Sequence, residues 1–259
     1  MLIDTLDTFS YNGRRLADLG AVIKQHPKQV FSLPDFNLIE MPFRDGSEIE
    51  DNARYKNVAF KIPIIALPAF CSLTRTEFSY ALVDWLLSGD RGYKIYRDSY
   101  NRGYFRYGIV TNIEPVEEVE RGVYETEITI SFKPFLYSDV GATPIEFSIT
   151  GTSSAASGKA IINPEKWSSE PIITVEGSGE ISVGVTGQGW VKVSNIEDGG
   201  VVLDKPAEDV YTLAGVSCNQ LVSGLRLPYF KPGRNFLSII RSSGSGTLKV
   251  KVIPNWRRL

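Results

Sequence analysis

The chain has 259 residues, a formal net charge of −2, 42% hydrophobic residues and 22% charged residues. This length allows two domains of ~100–200 residues each. The ordinary globular composition argues against wholesale disorder. The small net charge gives no reason to expect binding to nucleic acid or to an anionic membrane.

The compartment signals predict a soluble protein made in a reducing environment. Cys71 and Cys218 are the only cysteines and lie far apart in the sequence, so we interpret both as free thiols. The first residues, MLID, lack a basic region followed by an apolar run, and we expect no signal peptide. No apolar stretch approaches the ~20 residues that cross a bilayer, so we expect no membrane insertion.

Turn signals organise the first 65 residues. Asn12-Gly13 predicts a hairpin turn, and Asp45-Gly46 predicts the tip of a second, longer hairpin. The segment around this tip, residues 34–60, is polar with only scattered apolar residues, and a core strand is predicted directly after it. A long hairpin of this composition cannot form its own core, so it is either a surface loop or an arm that packs on another subunit. The residues alone favour the loop.

One principal helix is predicted after this strand. Thr74 is a suitable N-cap, and Glu77 three residues later completes a capping box. Four apolar residues share one helical face: Phe78, Leu82, Trp85 and Leu86. Gly89 is placed to end the helix in a left-handed conformation, which glycine adopts at little cost.

The period of the apolar residues then changes from helical to alternating. Residues 93–96 lead into a turn-rich run at 98–103, and residues 104–113 return as a second strand. Residues 114–122 predict an acidic loop. In the next strand one face carries Tyr124, Thr126, Ile128, Ile130 and Phe132, and the other carries Glu125, Glu127, Thr129, Ser131 and Lys133. This alternation predicts one buried face and one solvated face.

The remainder of the chain is predicted to be all β. Residues 138–171 are rich in Ser, Thr, Gly, Ala and Pro, which predicts a domain boundary or an extended crossover, with a low-complexity run at 150–158. Short β-rich runs then recur at 172–175, 181–185, 190–193, 201–203, 225–227, 236–240 and 248–253. We interpret the glycines at 177–179 and 187–189 as hairpin turns. This spacing is typical of a sandwich or jelly roll.

The sequence offers no convincing catalytic, metal or cofactor site. His26 is the only histidine and precedes Pro27 in a turn-like stretch, so a surface or capping role is the simpler interpretation. One histidine and two separate cysteines cannot build a typical zinc site. Glu117, Glu118 and Glu120 could supply a glycosidase carboxylate pair, but acids in such a loop are usually solvated. We therefore predict a protein that is not an enzyme and needs no cofactor.

Two sets of aromatic residues are candidate binding surfaces. Aromatics at 93–107 alternate with basic residues, and such a pattern can stack bases or sugars. We favour a hairpin whose aromatics pack a core while its arginines face water or another subunit. Trp190 and Tyr229 could form a sugar platform, although packing at the core or rim of a small sandwich is the preferred interpretation.

The order of these parts carries a resemblance. The helix is followed by GD at 89–90, YKIY at 93–96, a turn, YFRY at 104–107 and a strand ending in FKPFLY at 132–137. KPGRN at 231–235 and VIPNWRR at 252–258 close the chain. In order and spacing, over nearly its whole length, the chain resembles the distal tail protein (Dit) family of long-tailed phages of Gram-positive hosts.

The resemblance implies a mainly β fold with one principal helix. Residues 1–138 would form a tail-tube-like β-barrel or sandwich domain that assembles as a hexameric ring, and residues 139–259 would form a galectin-like β-sandwich. The segment at about 34–57 would be the family's belt, an arm that wraps the next subunit, which reverses the preference for a surface loop. The candidate arm residues are Met41, Phe43, Arg44, Asp45, Gly46 and Tyr55.

The implied function is a structural hub of a phage or prophage tail tip. The ring would join the tail tube protein to the tail-tip protein and let DNA pass without specific binding, with a receptor-binding protein as a further candidate partner. The protein would be made in the bacterial host cytoplasm and reside in the virion. The chain is short for the family, with no room for an inserted carbohydrate-binding module. The rival interpretation is a soluble carbohydrate-binding protein that uses the C-terminal sandwich.

The acidic run suggests a surface for the ring channel. The candidate channel-facing acids are Glu117, Glu118, Glu120, Glu125 and Glu127. A negative wall would repel the phosphates of passing DNA, whereas lysines and arginines would bind them by counterion release. The simpler interpretation is an ordinary solvated strand and loop.

Overall fold

The computed structural model describes residues 6–150, 153–196, 199–224 and 226–259. The chain divides into two compact units, Met1–Leu136 together with Leu259, and Tyr137–Arg258. Strands dominate both units, which confirms the predicted mainly β fold with one principal helix. None of the helices in these ranges is long and apolar enough to cross a membrane.

The N-terminal unit is built on one large antiparallel sheet. Its strands are β1 (Phe9–Tyr11), β2 (Arg14–Arg15), β3 (Ala21–Ile23), β6 (Val58–Ala66), β7 (Lys94–Asp98), β8 (Tyr104–Ile113), β9 (Glu117–Glu120) and β10 (Val123–Phe132). The strand order is β2-β1-β7-β8-β10-β6-β3, and β9 also pairs with β10. A separate two-stranded sheet is formed by β4 (Pro34–Glu40) and β5 (Ser47–Tyr55). A short 3-10 helix, Leu16–Leu19, precedes β3.

The principal helix, α1 (Arg75–Leu87), covers the core of this unit. Its predicted capping box is present: the Thr74 amide donates to Glu77 Oε2 at 2.8 Å, and the Glu77 amide donates to Thr74 Oγ1 at 3.4 Å. The predicted face, Phe78, Leu82, Trp85 and Leu86, is buried. The Trp85 indole also donates to the Tyr11 carbonyl at 2.9 Å, which fixes the helix to β1. The helix ends with Ser88 already extended, and Gly89 follows with φ 88°.

The alternating strand predicted at residues 124–133 is β10, at the centre of the sheet. Its burial alternates residue by residue, and the predicted inward face is the buried one. Ile128 lies opposite Ile62 of β6, and Ile130 lies opposite Phe60. These cross-strand apolar pairs stabilise the sheet from one side.

The predicted acidic loop at residues 114–122 is wrong in part, because its centre forms strand β9. Glu118 pairs with Tyr124 of β10, and Glu117 pairs with Glu125. All four side chains of β9 are exposed. An exposed edge strand needs no apolar face, so the alternation that reveals a half-buried strand is missing from its sequence.

The C-terminal unit is a two-sheet β-sandwich. One sheet has the order β12-β21-β14-β17-β18 and the other β13-β20-β15-β16-β19. The strands are β11 (Leu136–Ser138), β12 (Ile145–Thr150), β13 (Ser153–Asn163), β14 (Ile172–Glu176), β15 (Gly179–Val185), β16 (Trp190–Ile196), β17 (Gly200–Asp204), β18 (Asp209–Thr212), β19 (Val222–Ser223), β20 (Gly233–Arg241), β21 (Thr247–Ile253) and β22 (Arg257–Arg258). Strands β11 and β22 pair with each other and belong to neither sandwich sheet. Helix α2 (Asp139–Ala142) and a 3-10 helix, Asn219–Leu221, complete the unit. Both sheets contribute to one buried cluster, which includes Val175, Val183, Leu237 and Val250.

The low-complexity run at 150–158 lies in strands, since its described residues belong to β12 and β13, which are in different sheets; residues 151 and 152 lie outside the described ranges. Two expectations about this unit need correction. The glycines at 177–179 join β14 in one sheet to β15 in the other and do not form a hairpin. In the predicted strand at 225–227, Leu225 lies outside the described ranges, and Arg226 and Leu227 are not in a strand.

The physical reason for the small residues in β13 lies in its pairing with β20. Gly158 is opposite Ser238, and a Cβ atom added at Gly158 would lie 1.8 Å from the Leu237 carbonyl oxygen. A residue with any side chain would have to displace the backbone of β20. A composition that resembles a linker therefore reflects a strand in unusually close contact with its neighbour.

Candidate assembly surfaces

The hairpin of β4 and β5, hereafter the arm, is a long and largely exposed element. Leu38 lies opposite Ile49, and Glu40 lies opposite Ser47, with the predicted Asp45-Gly46 turn between the strands. Almost every side chain of the two strands is exposed. At a rise of ~3.3 Å per residue, the nine residues of β5 span about 30 Å.

The few apolar residues of the arm face solvent. Its exposed large apolar side chains are Phe36, Leu38, Ile39, Met41, Phe43 and Ile49. Leu38 and Ile49, which lie opposite each other, are 62% and 69% exposed. A lone two-stranded hairpin is marginally stable in water, and a contiguous exposed apolar patch marks an interaction surface. The arm therefore has the properties of a segment that is covered by a partner.

At the base of the arm, a buried carboxylate joins its two strands, and an aromatic contact attaches it to the rest of its unit. Asp35 accepts a hydrogen bond from Arg54 Nε at 2.7 Å and an ion pair from Lys56 Nζ at 3.1 Å. Its side chain is only 10% exposed, and the hydrogen bonds from Arg54 and Lys56 lower its pKa. The Tyr55 ring meets the Phe135 ring edge-on at 5.6 Å between centroids. Among the predicted arm residues, Tyr55 thus lies at the anchored base.

The other predicted arm residues, Met41, Phe43, Arg44, Asp45 and Gly46, lie at the tip. The Arg44 amide donates to the Met41 carbonyl at 3.3 Å, closing a turn in which Pro42 and Phe43 are central. Phe43 has φ 64° and a fully exposed ring, at 106% relative exposure. A bulky side chain at positive φ costs about 1–3 kcal/mol. The tip therefore holds an aromatic ring in solvent where glycine would be favoured.

The candidate channel-facing acids are partly neutralised. Glu125 and Glu127 lie on the outward face of β10, as predicted, but each has a lysine partner. Lys24 Nζ is 2.5 Å from Glu125 Oε2, and Lys61 Nζ is 2.9 Å from Glu127 Oε1, which raises the pKa of Lys61. Since these partners are 101 and 66 residues away in the sequence, no local pattern reveals them.

The remaining acids of this surface lie on β9. Glu117, Glu118 and Glu120 are all exposed, and Glu118 accepts a hydrogen bond from the Gly122 amide at 2.9 Å. Glu117 lies directly opposite Glu125, and like charges in such a pair are destabilising, which Lys24 offsets. A cleft of about 370 Å³ separates these groups; its charged lining is Lys24, Glu114, Glu117, Glu125 and Glu127. Within the described ranges no group of three or more His, Cys, Asp or Glu side chains could hold a metal ion.

The aromatic and basic residues at 93–107 pack largely as a hairpin core. Tyr96 and Phe105 are buried. The expectation that the arginines face outward is wrong for Arg106, which is 7% exposed and lies 4.8 Å from the Phe60 ring centroid and 5.7 Å from that of Phe132. A guanidinium retains attraction to an aromatic face when buried, so Arg106 acts as part of the core.

The two candidate sugar-binding aromatics differ in role. Trp190 is 43% exposed and lies flat against Gly184, where an added Cβ would be 2.9 Å from the indole. Tyr229 is held through its backbone: its amide donates to Gln188 Oε1 at 3.1 Å, and its carbonyl accepts from Gln188 Nε2 at 2.6 Å. Trp190 alone of the pair therefore presents a clearly exposed ring.

His26 and the two cysteines have structural surroundings. His26 is exposed, with its Nδ1 2.8 Å from the Pro27 carbonyl and its ring 3.8 Å from the Tyr100 ring centroid. Cys71 and Cys218 are buried free thiols, as predicted. Burial raises the pKa of the Cys218 thiol, which disfavours the reactive thiolate.

Comparison with known proteins addresses the fold as a whole. No protein-family model matches the chain, and no curated protein matches its sequence. Among solved structures, the chain is similar to the crystal structure of SPP1 Dit (gp 19.1), described as a paradigm of the hub adsorption apparatus in phages that infect Gram-positive bacteria. The identity is 15%, the TM-score is 0.67, and the match covers 98% of this chain and 100% of that one. The chain therefore has the Dit fold over essentially its full length.

Proposed function

We propose that the chain is the structural hub of a phage or prophage tail tip. The observation that carries the proposal is the extent of the structural similarity to SPP1 Dit, which covers both units of this chain and all of that protein. Both units of the chain therefore lie within the region that is similar to one phage hub protein. A similarity confined to a single sandwich would support far less, because sandwiches serve many functions.

The arm supports assembly as a homo-hexameric ring. A ring closes when one heterologous contact is repeated between a protruding element and a different surface of the next copy. The arm forms a two-stranded sheet of its own and exposes its apolar side chains, while its strands are joined at the base by Asp35. Such a ring would join the tail tube protein to the tail-tip protein, with a receptor-binding protein as a further partner. The hub would be made in the host cytoplasm and remain at the virion tail tip.

The acidic face supports a channel through which DNA passes without adhering. Lys24 and Lys61 offset Glu125 and Glu127, so the negative charge of this face rests mainly on the exposed acids of β9. Six copies around one axis would repeat this charge. Its repulsion of phosphates would weaken with salt, because exposed charges are screened over ~8–10 Å at physiological ionic strength.

Removal of the arm tests the assembly directly. A chain that lacks residues 43–53 should be monomeric in light scattering, whereas the full chain forms rings alone or with its tail partners. A matched control replaces Val216 by Ser, since Val216 is 64% exposed in the C-terminal unit, close to the 69% of Ile49 in the arm. Rings that persist without the arm would contradict its role.

A soluble carbohydrate-binding protein is the second candidate, favoured by one observation. Trp190 and Phe236 are 43% and 40% exposed on the outward face of the β13-β20-β15-β16-β19 sheet, where the lack of a side chain at Gly184 leaves a flat surface. Glycan binding by the full chain that disappears on Trp190→Ala, without any effect on oligomeric state, would support this function. No binding to any glycan on an array would dismiss it.

A further inference from the structure

The N-terminal unit also exposes large apolar side chains outside the arm, and three of them lie together on α1. Outside the arm and the residues leading into it, the exposed large apolar side chains of its described part are Tyr80, Val83, Leu87, Tyr93, Ile95 and Val119. Tyr80, Val83 and Leu87 are spaced i, i+3 and i+7 on α1, on the side opposite its buried face. A helix with apolar stripes on two opposite sides buries both stripes only if a surface packs on each side. The N-terminal unit itself packs on one of them.

A pocket opens beside the last residue of this stripe. It has a volume of about 380 Å³, and its lining includes Tyr11, Leu86, Leu87, Ile109, Val110 and Arg91. An apolar cavity of about 150 Å³ is sufficient to hold a benzene ring. The pocket can therefore admit the side chain of a phenylalanine.

The charges around this pocket are complementary to those of the arm. Residues 34–55 carry six acids and two arginines. In the pocket lining Lys94 is ion-paired with Asp90, so the positive charge there comes mainly from Arg91, and Arg14 adds to it opposite the lining residue Tyr11. Complementary charge of this kind steers encounter and sets the register of a contact.

We propose that the ring of Phe43 at the arm tip of one copy enters the pocket at the C-terminal end of α1 of a second copy, against its apolar wall and away from the Ser88, Asp90 and Lys94 side chains that also line it. The arm's apolar side chains would then cover the stripe of Tyr80, Val83 and Leu87. This proposal rests on the proposed hub function, since it names the surface that receives the arm. The contact joins two different surfaces of the same chain, as ring closure requires.

Disulfide trapping between two variants that each carry one added cysteine tests this contact. A full chain carrying Phe43→Cys is mixed with a tagged full chain carrying Leu87→Cys and then oxidised. Cys71 and Cys218 are buried and should not compete. The control mixture replaces Leu87→Cys by Val119→Cys, because Val119 is 49% exposed and Leu87 58%. Equal melting temperatures of all variants verify their folding.

The expected result is a covalent heterodimer from Phe43→Cys and Leu87→Cys at a yield at least ten times that of the Val119→Cys mixture. A yield equal to the control, or no heterodimer in either mixture, overturns the proposed contact. Light scattering on the unmodified chain measures ring formation separately. Rings without the heterodimer would place the arm elsewhere and leave the hub function intact, whereas absence of rings under every condition would count against the hub function itself.

Discussion

At the scale of single residues, a close backbone approach in the C-terminal unit explains why a glycine is required at position 141. A Cβ atom added at Gly141 would lie 2.3 Å from the Trp256 amide nitrogen, and the Asn255 amide donates to the Gly141 carbonyl at 2.8 Å. Trp256 is buried, so neither partner can move without disturbing the core.

We expect Gly141→Ala to lower the free energy of unfolding by about 1–3 kcal/mol, the usual cost of overpacking. Urea denaturation of the full chain measures the change. Gly189→Ala is the control, because nothing lies within 4 Å of its added Cβ, and its effect should stay within about 0.5 kcal/mol. Equal effects of the two substitutions would show that contact with Trp256 is not limiting.

Because Phe43 has a positive φ, its replacement by glycine can distinguish a structural role of this residue from a binding role. Glycine adopts φ 64° without strain, so Phe43→Gly should leave the melting temperature unchanged or slightly higher. It should also weaken self-association by at least ten-fold, because the exposed ring is lost. Sedimentation and thermal denaturation measure the two effects. Loss of stability with unchanged association would mean that the ring supports the turn and contacts no partner.

At the scale of elements, the order of the arm should depend on pH, because Asp35 at its base is a titratable group. The hydrogen bonds from Arg54 and Lys56 hold the pKa of Asp35 below its ordinary value. A carboxylate with a lowered pKa stabilises the folded state above its unfolded pKa of about 3.9, and this contribution is lost as the pH falls through the folded pKa. The anchored base should therefore loosen in acid.

As the pH is lowered from 5 to 3, the arm should become disordered. We expect the NMR signals of its amides to sharpen and to move to the chemical shifts of an unfolded chain. Asp35→Asn should produce the same loosened arm at pH 7, with little further change in acid. Asp45→Asn, at the tip and away from Arg54 and Lys56, is the control and should behave as the unmodified chain. An arm in Asp35→Asn that stays ordered at pH 7 would contradict the anchoring role.

Elements with a marked apolar period could be predicted from the sequence, and elements without one could not. The capping box and buried face of α1 and the alternation of β10 are local patterns, and both predictions are confirmed. Every side chain of strand β9 is exposed, so its sequence lacks the apolar–polar alternation by which a half-buried strand is recognised. Strand β13 was missed for a different reason, because close contact with β20 requires glycine and thereby imitates a linker.

The candidate surfaces follow the same division. The arm could be placed because Asp45-Gly46 is a strong turn signal and the segment lacks a core of its own. Its exposed apolar residues and the strained Phe43 could not be foreseen, since exposure depends on what the fold leaves uncovered. The lysine partners of Glu125 and Glu127 depend on strand register, and a list of local acids does not contain that information.

At the scale of the whole molecule, the C-terminal unit has its own buried cluster of residues from both sheets. A fragment comprising Tyr137–Arg258 should therefore unfold in one cooperative transition. Val183→Asp places a charge in the centre of this cluster and should abolish the transition, which provides the control. An insoluble or non-cooperative fragment would show that this unit depends on residues of the other for its fold.

The central claim is that the chain is a ring-forming hub, and electron microscopy of the full chain tests it most directly. Particles should be imaged from the purified protein at high concentration and from its co-expression with the neighbouring tail proteins. The account predicts six-fold rings in at least one of these preparations, with the arm of each copy crossing to the next. A protein that stays monomeric at high concentration and forms no ring with its tail partners would contradict it.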